Sequence, residues 1–146
     1  MPARGQRSKM NQPPGTLTYT GQYTQEPFAM ELFVYTPEGV DRVALERIED
    51  IEGYRGFKWL NVVGICHVPE VAGVGRYFDL SDLLMEDIFH VWQRSRLDIE
   101  KDHLFSIHKM IYLEAQHLVM EHLSMVVMKD TLVTFQEVKT DIFNPV

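Results

Sequence analysis

Two adjacent carboxylates, Glu86 and Asp87, sit within "LLMEDIFHVWQR", residues 83–94, a stretch with the period of a helix. At roughly 100° per residue, Asp82, Glu86, His90 and Gln93 fall on one polar stripe. Leu83, Leu84, Met85, Ile88, Val91 and Trp92 fill the opposite arc. Glu86 belongs to the stripe, but Asp87 falls between Leu83 and Val91, inside the apolar arc. A carboxylate there requires a partner, because burying an unpaired charge is costly. An arginine (Arg94 or Arg96) or a backbone donor would be a structural partner. A cation or another subunit would be a functional one.

Other chemistry is hard to assemble from this chain. It holds no Gly-rich phosphate loop, no Gly-x-Ser-x-Gly elbow and no His-Glu-x-x-His helix. Of the six histidines, His103 and His108 lie five apart in a stretch that reads as a strand, so they point to opposite faces. His117 and His122 flank an expected hairpin turn and read as a solvated loop pair. The single cysteine, Cys66, lies in the apolar run "WLNVVGIC" and reads as a small core filler; it excludes an internal disulfide and a cysteine-based zinc cluster. Met110, Met125 and Met128 fall within strands, where core filling is their role. No paired carboxylates with catalytic geometry emerge, so an enzymatic reading has no residues to stand on. The formal net charge of −7 argues against a nucleic-acid surface, which would be basic, and favours cations instead.

The elements that must position Asp87 are legible from the residue pattern. The 146 residues make one domain's worth, long enough for a real core. No apolar run approaches the ~18 residues of a membrane helix. Residues 1–13 are polar and read as a flexible tail, with the domain spanning 14–146. Pro13-Pro14-Gly15 punctuates, and Thr16 to Tyr23 is rich in β-formers, which predicts a first strand. "FAMELFVY" and "FKWLNVVGI" read as further strands, with "VALERIEDI" as a short helix between them carrying Val43, Ile48 and Ile51 inward. Trp59 is expected to be buried and Trp92 partly accessible. "PEVAGVGRYF" is a helix opened by Pro69, and Ser81 caps the next one, with Asp82 in its first turn. Three strands follow, "RLDIEKDHLFSIHKMIYLE", "EHLSMVVM" and "TLVTFQEV", with Lys129-Asp130 as the last turn. Strands, then helices, then hairpin-linked strands imply a mixed sheet with helices packed on it.

"EDIFHVWQRSR" resembles the Glu-Asp-Ile…Gln-Arg segment of the CorA family of magnesium channels. The likeness extends to "PPGTLTYTG", "WLNVVGI" and "FQEVKTDIFNPV", in the family's order and at similar spacing, from Pro13 onward. The resemblance implies an α/β/α sandwich with a mixed central sheet of about seven strands, the wall of a homopentameric funnel on the cytoplasmic face of the membrane. It implies that Mg2+, or Co2+, binds between neighbouring domains and holds the channel closed. Asp87 matches the family's main aspartate at that regulatory site and Glu86 an acidic neighbour, the partner carboxylate coming from the adjacent subunit's stalk helix. Ser95 departs from the proline that often follows Gln-Arg in the family. The stalk, the membrane helices and the Gly-Met-Asn pore signature are not in this sequence. A fragment of this kind is expected to be soluble and weakly associated by itself. The zinc-transporting branch of the superfamily, or a free-standing small-ligand-binding α/β domain, are the other readings.

Overall fold

Alternation at a period of two organises the first strand of the computed structural model, which describes residues 12–139. In β1, Ala29–Thr36, the side chains of Met30, Leu32 and Val34 are buried, while Glu31, Phe33 and Tyr35 on the other face are half-buried. The remaining elements are β2 (Gly39–Leu45), a 3-10 turn (Ile48–Gly53), β3 (Phe57–Val63), α1 (Val68–Tyr77), α2 (Asp82–Phe89), β4 (Arg96–Ile99), β5 (Leu104–Glu114), β6 (His117–Val127) and β7 (Thr131–Gln136). The strands form one seven-stranded sheet in the order β2-β1-β3-β7-β6-β5-β4. β3 and β7 pair in parallel and every other pair is antiparallel. The chain is therefore an α/β domain with a mixed seven-stranded sheet, as expected.

Register builds the core. Leu32 faces Leu60, Leu60 faces Val133, Val133 faces Val126 and Val126 faces Phe105, giving an apolar row across five strands. The helices lay Val71 and Val74 of α1 and Leu84, Met85, Ile88 and Phe89 of α2 into the same cluster, joined by Ile48 and Ile51. α1 and α2 approach closely enough that a Cβ on Gly75 would lie 2.4 Å from Met85 Sδ. On the opposite face Trp59 stacks on Phe33, ring centroids 4.6 Å apart, and its Nε1 donates to Thr134 Oγ1 at 2.9 Å. Thr134 in turn donates to Asn61 Oδ1 at 2.8 Å. The described helices all join the core on the first face, so the other helical layer of a sandwich is not among the described residues.

Several local expectations are corrected. Residues 16–23 form no strand; Thr20 bonds to the end of α2 instead, its N donating to the Phe89 carbonyl at 3.1 Å and its Oγ1 accepting from Val91 N at 3.1 Å. Val43 to Leu45 belong to an edge strand rather than a helix, because they pair with Leu32 to Met30 of β1. Residues 96–114 are two strands, not one, broken at a turn that Glu100 N closes on the His103 carbonyl at 2.9 Å. His103 thus lies outside β5. The His117–His122 segment is not a loop: the turn is Ala115-Gln116, both at positive φ, and both histidines lie in β6. His117 is exposed, whereas His122 is buried and holds Ser124 Oγ at 2.8 Å through Nε2. The Lys129-Asp130 turn is as expected, with Met128 N donating to the Thr131 carbonyl at 2.8 Å. The expected tail at residues 1–13 falls largely outside the described residues.

Two outcomes follow from this packing. Trp59 is 6% exposed and Trp92 45%, so only the first should be costly to truncate. Trp59→Ala should lose about 3–5 kcal/mol, read as a lowered urea midpoint; a midpoint near the parent's would show that the outer face carries no packing. Burial, reinforced by the nearby charges of Lys109 and His90, pushes His122 down to about 3 from 6.5. The unfolded chain then takes up a proton near pH 6.5 that the folded chain refuses until near pH 3. This contribution to stability is present above pH 6.5 and is lost progressively as pH falls toward 3. Replacing His122 by Gln should flatten the acid limb of the stability–pH profile between those values, whereas a parallel limb would refute the assignment. Glu121 and Glu137, both raised by burial, titrate in the opposite sense in parent and variant alike, so the comparison isolates the histidine.

Candidate metal centre

Helix α2 is short and well bounded. Ser81 Oγ accepts from Leu84 N at 3.2 Å, satisfying one free donor of the first turn, and His90 N closes the other end on the Glu86 carbonyl at 3.1 Å. Immediately beyond, Trp92 Nε1 donates to the Thr20 carbonyl at 3.0 Å, and the chain turns back along the helix. That turn places Gln93 beneath Asp87. Gln93 Nε2 donates to both the Asp87 backbone carbonyl and Oδ1, each at 3.0 Å.

Arg96, the first residue of β4, closes the network. Its guanidinium pairs with Asp87 Oδ2 and with Gln93 Oε1, and its Nε donates to Asp98 Oδ2 at 2.8 Å. It lies 5.8 Å from the Phe105 ring centre. Hydrogen bonding from Asp98, and then from Asp87, raises its already high pKa, so it stays charged. One arginine between two aspartates leaves the cluster with a net negative charge. The Asp87 side chain is 31% exposed, which leaves it open to an ion from solvent.

The helical-wheel reading of Asp87 needs correction at one point. The apolar arc divides: Leu84, Met85, Ile88 and Phe89 face the core, whereas Leu83, one turn before Asp87, is 69% exposed. Asp87 therefore shares an outward apolar edge with Leu83 rather than lying in the buried arc. Glu86 is not simply water-facing either. It is half-buried, and its Oε2 accepts from Gly15 N at 3.3 Å. The two neighbouring carboxylates thus engage different parts of the chain. Arg96 was legible as an arginine partner; Gln93 and Asp98 were not. The Arg-x-Asp spacing of residues 96 and 98, which puts both on one face of a strand, was the available signal.

Among the described residues, no three His, Cys, Asp or Glu side chains are grouped to hold a metal ion. A site at Asp87 would have to draw ligands from elsewhere. The donors present are oxygens, which suits a hard cation that keeps several waters.

No protein-family model matches the chain. It is, however, 32% identical over 144 residues to the cobalt/magnesium transport protein CorA of Thermotoga maritima, a match covering 95% of the chain and 41% of that protein. Nearly the whole chain is thus similar to part of a CorA transporter. The fold agrees: it superposes on the soluble domain of CorA from Methanocaldococcus jannaschii with a TM-score of 0.59 at 16% identity, covering 83% of the chain and 44% of that structure. The cytoplasmic domain of ZntB from Vibrio parahaemolyticus gives 0.63 at 11% identity, covering 82% of the chain and 48% of that one. The chain spans less than half the length of each. Among its described residues, no helix is long and apolar enough to cross a membrane.

A half-exposed ion pair contributes little, on the order of 0–1 kcal/mol. Asp87→Asn keeps the shape and the Gln93 contacts, so its thermal midpoint should fall by no more than a few degrees. A collapse of the midpoint would identify the Asp87–Arg96 network as a structural hub instead.

Proposed function

We propose that this chain is the cytoplasmic regulatory domain of a CorA-type magnesium or cobalt channel, in which Asp87 binds a divalent cation at a boundary between subunits. Glu86 is at most an accessory. Similarity to CorA supports the transport context, and the relative's name as a cobalt/magnesium transporter supports the ion class. The observation that carries the assignment is Asp87 itself, an accessible carboxylate beside the exposed Leu83 in a cluster of net negative charge. An apolar edge with a charge in it is what a subunit boundary with a shared ion would require.

In this reading Asp87 supplies one carboxylate oxygen and a neighbouring subunit supplies the second ligand. Such sparse ligation agrees with magnesium, which keeps most of its waters. Arg96 can release Asp87 without losing all compensation, because Asp98 holds its Nε. Gln93 orients the carboxylate throughout. Ligands divided between chains make occupancy a tie between subunits, so the ion favours the arrangement that brings them together. The zinc-transporting branch is a second reading, kept by the fold likeness to the ZntB domain. Zinc sites favour His and Cys ligands, whereas the groups around Asp87 are carboxylate and amide oxygens.

The test is limited proteolysis of the intact channel across a magnesium titration. Asp87→Ala should move protection to at least several-fold higher magnesium, with a much smaller displacement for Glu86→Ala. In the isolated chain, lacking the second ligand, magnesium should raise the melting temperature little. An Asp87→Ala profile that overlays the parent's would make Asp87 a structural carboxylate only.

A further inference from the structure

β5 and β6 outrun the rest of the sheet. Among the described residues, β4 pairs with β5 only over Leu104–Ile107, and β7 pairs with β6 only over Leu123–Val127. Beyond those ladders, His108–Glu114 and His117–His122 have no third strand beside them. They continue as a two-stranded ribbon in unbroken register, closed by the turn at Ala115-Gln116. Such a ribbon is marginally stable by itself in water.

One face of the ribbon is bare. Ile111 stands opposite Met120 and Leu113 opposite Leu118, so the four side chains share a face. It is the face that, farther along the same strands, carries Phe105, Ile107 and Val126 into the core. Yet Ile111 is 60% exposed, Met120 57%, Leu113 73% and Leu118 69%. The half-exposed Trp92 extends the patch, since it and Met120 line one cavity of about 510 Å³ at the ribbon's base. Four apolar side chains, each more than half exposed, already match the roughly 300–600 Å² of the largest patch on a typical monomer, which is often functional.

Charge selects what covers it. The ribbon's carboxylates, Glu114 and Glu121, pair with His117 and Met110, positions that alternate with the apolar four and so lie on the other face. Lys109, at the inner end of the bare face, is already turned to the Val91 carbonyl. The chain has a formal net charge of −7, so two copies repel over most of their surface. The uncharged array is where they meet without opposing like charges. It is also self-complementary. A two-fold axis in the plane of contact, running across the strands, sets Ile111 of each copy on Leu113 of the other, and Met120 on Leu118. We propose that this face is an interface with a second copy of the chain, ribbon upon ribbon about a two-fold axis. Four side chains and Trp92 supply less than the roughly 800 Å² per partner of a standard interface, so the association is weak. It uses neither Asp87 nor an ion and is separate from the subunit boundary proposed above.

The test is sedimentation velocity of the 146-residue chain in EDTA, over concentrations from roughly 10 µM to 1 mM. A shift from monomer toward dimer across that range is expected, and sodium chloride should strengthen it by screening the net charge. Leu113→Glu and Ile111→Lys, both at exposed positions, should each raise the dimer dissociation constant at least tenfold while preserving the amide spectrum. Mixing these two variants should restore association, because the introduced carboxylate of one chain then faces the introduced ammonium of the other. Ile99→Glu, at an exposed apolar position on the sheet's other face, should change nothing. A parent that stays monomeric at the highest concentration, association that requires magnesium, or its loss in Ile99→Glu would each overturn the proposal. So would folded Leu113→Glu and Ile111→Lys chains that associate like the parent.

Discussion

The parallel pairing of β3 with β7 governs the rest of this structure. Parallel neighbours cannot be joined by a tight turn, so the chain must leave the sheet and return by a long crossover. Everything from α1 to β6 is that crossover. Its first part lays two helices on the apolar row formed by Leu60 and Val133, and its second part extends the sheet outward from β7 to β4. The Asp87 network exists because both of its halves belong to this excursion: α2 ends, the chain doubles back, and β4 begins with Arg96. Fixing β3 against β7 thus fixes where a helical carboxylate can meet a strand arginine.

A second tie makes the geometry local and stiff. Thr20 uses its backbone and its hydroxyl to hold the end of α2, through Phe89, Val91 and Trp92. Residues that would otherwise add a strand at a sheet edge instead satisfy the free groups that every helix end leaves. The same tie forms one wall of the cavity at Trp92 and Met120, since Gly21, Gln22 and Tyr23 follow directly from Thr20.

Period and punctuation made much of this readable beforehand. The buried face of β1, the cap at Ser81, the burial of Trp59 and the Lys129-Asp130 turn all follow from short-range rules that the tertiary structure does not override. The failures share a cause. Thr16 to Tyr23 has β-forming residues, but Thr20 spends its backbone N–H and hydroxyl on the end of α2 instead. Val43 to Leu45 suited a helix locally, yet an unpaired edge of β1 was available. His122 looked like a loop residue because Ala115-Gln116 lacks the Asn-Gly signature of a tight hairpin turn. On α2 the helical wheel misplaced Asp87: a wheel ranks residues by angle, and it cannot say that Leu83 faces solvent while Val91 is buried.

The energetic character of the Asp87 pair is what makes a regulatory role physically reasonable. Breaking a fully buried ion pair costs about 3–5 kcal/mol, because the surviving charge stays in a poor solvent. A cation competing for such an aspartate would spend most of its binding free energy on that loss. Here the pair is part-exposed, so water and Asp98 take up what Arg96 gives away, and the internal cost is on the order of 1 kcal/mol or less. At the same time Gln93 donates twice to Asp87, to its backbone and to its side chain, which keeps the carboxylate oriented whether or not Arg96 is engaged. An oriented ligand with a cheaply displaced counter-ion is what the proposed weak, reversible ion binding would require. One carboxylate does not define a coordination sphere, so under the proposed reading selectivity would be set by what a second subunit brings to the same edge.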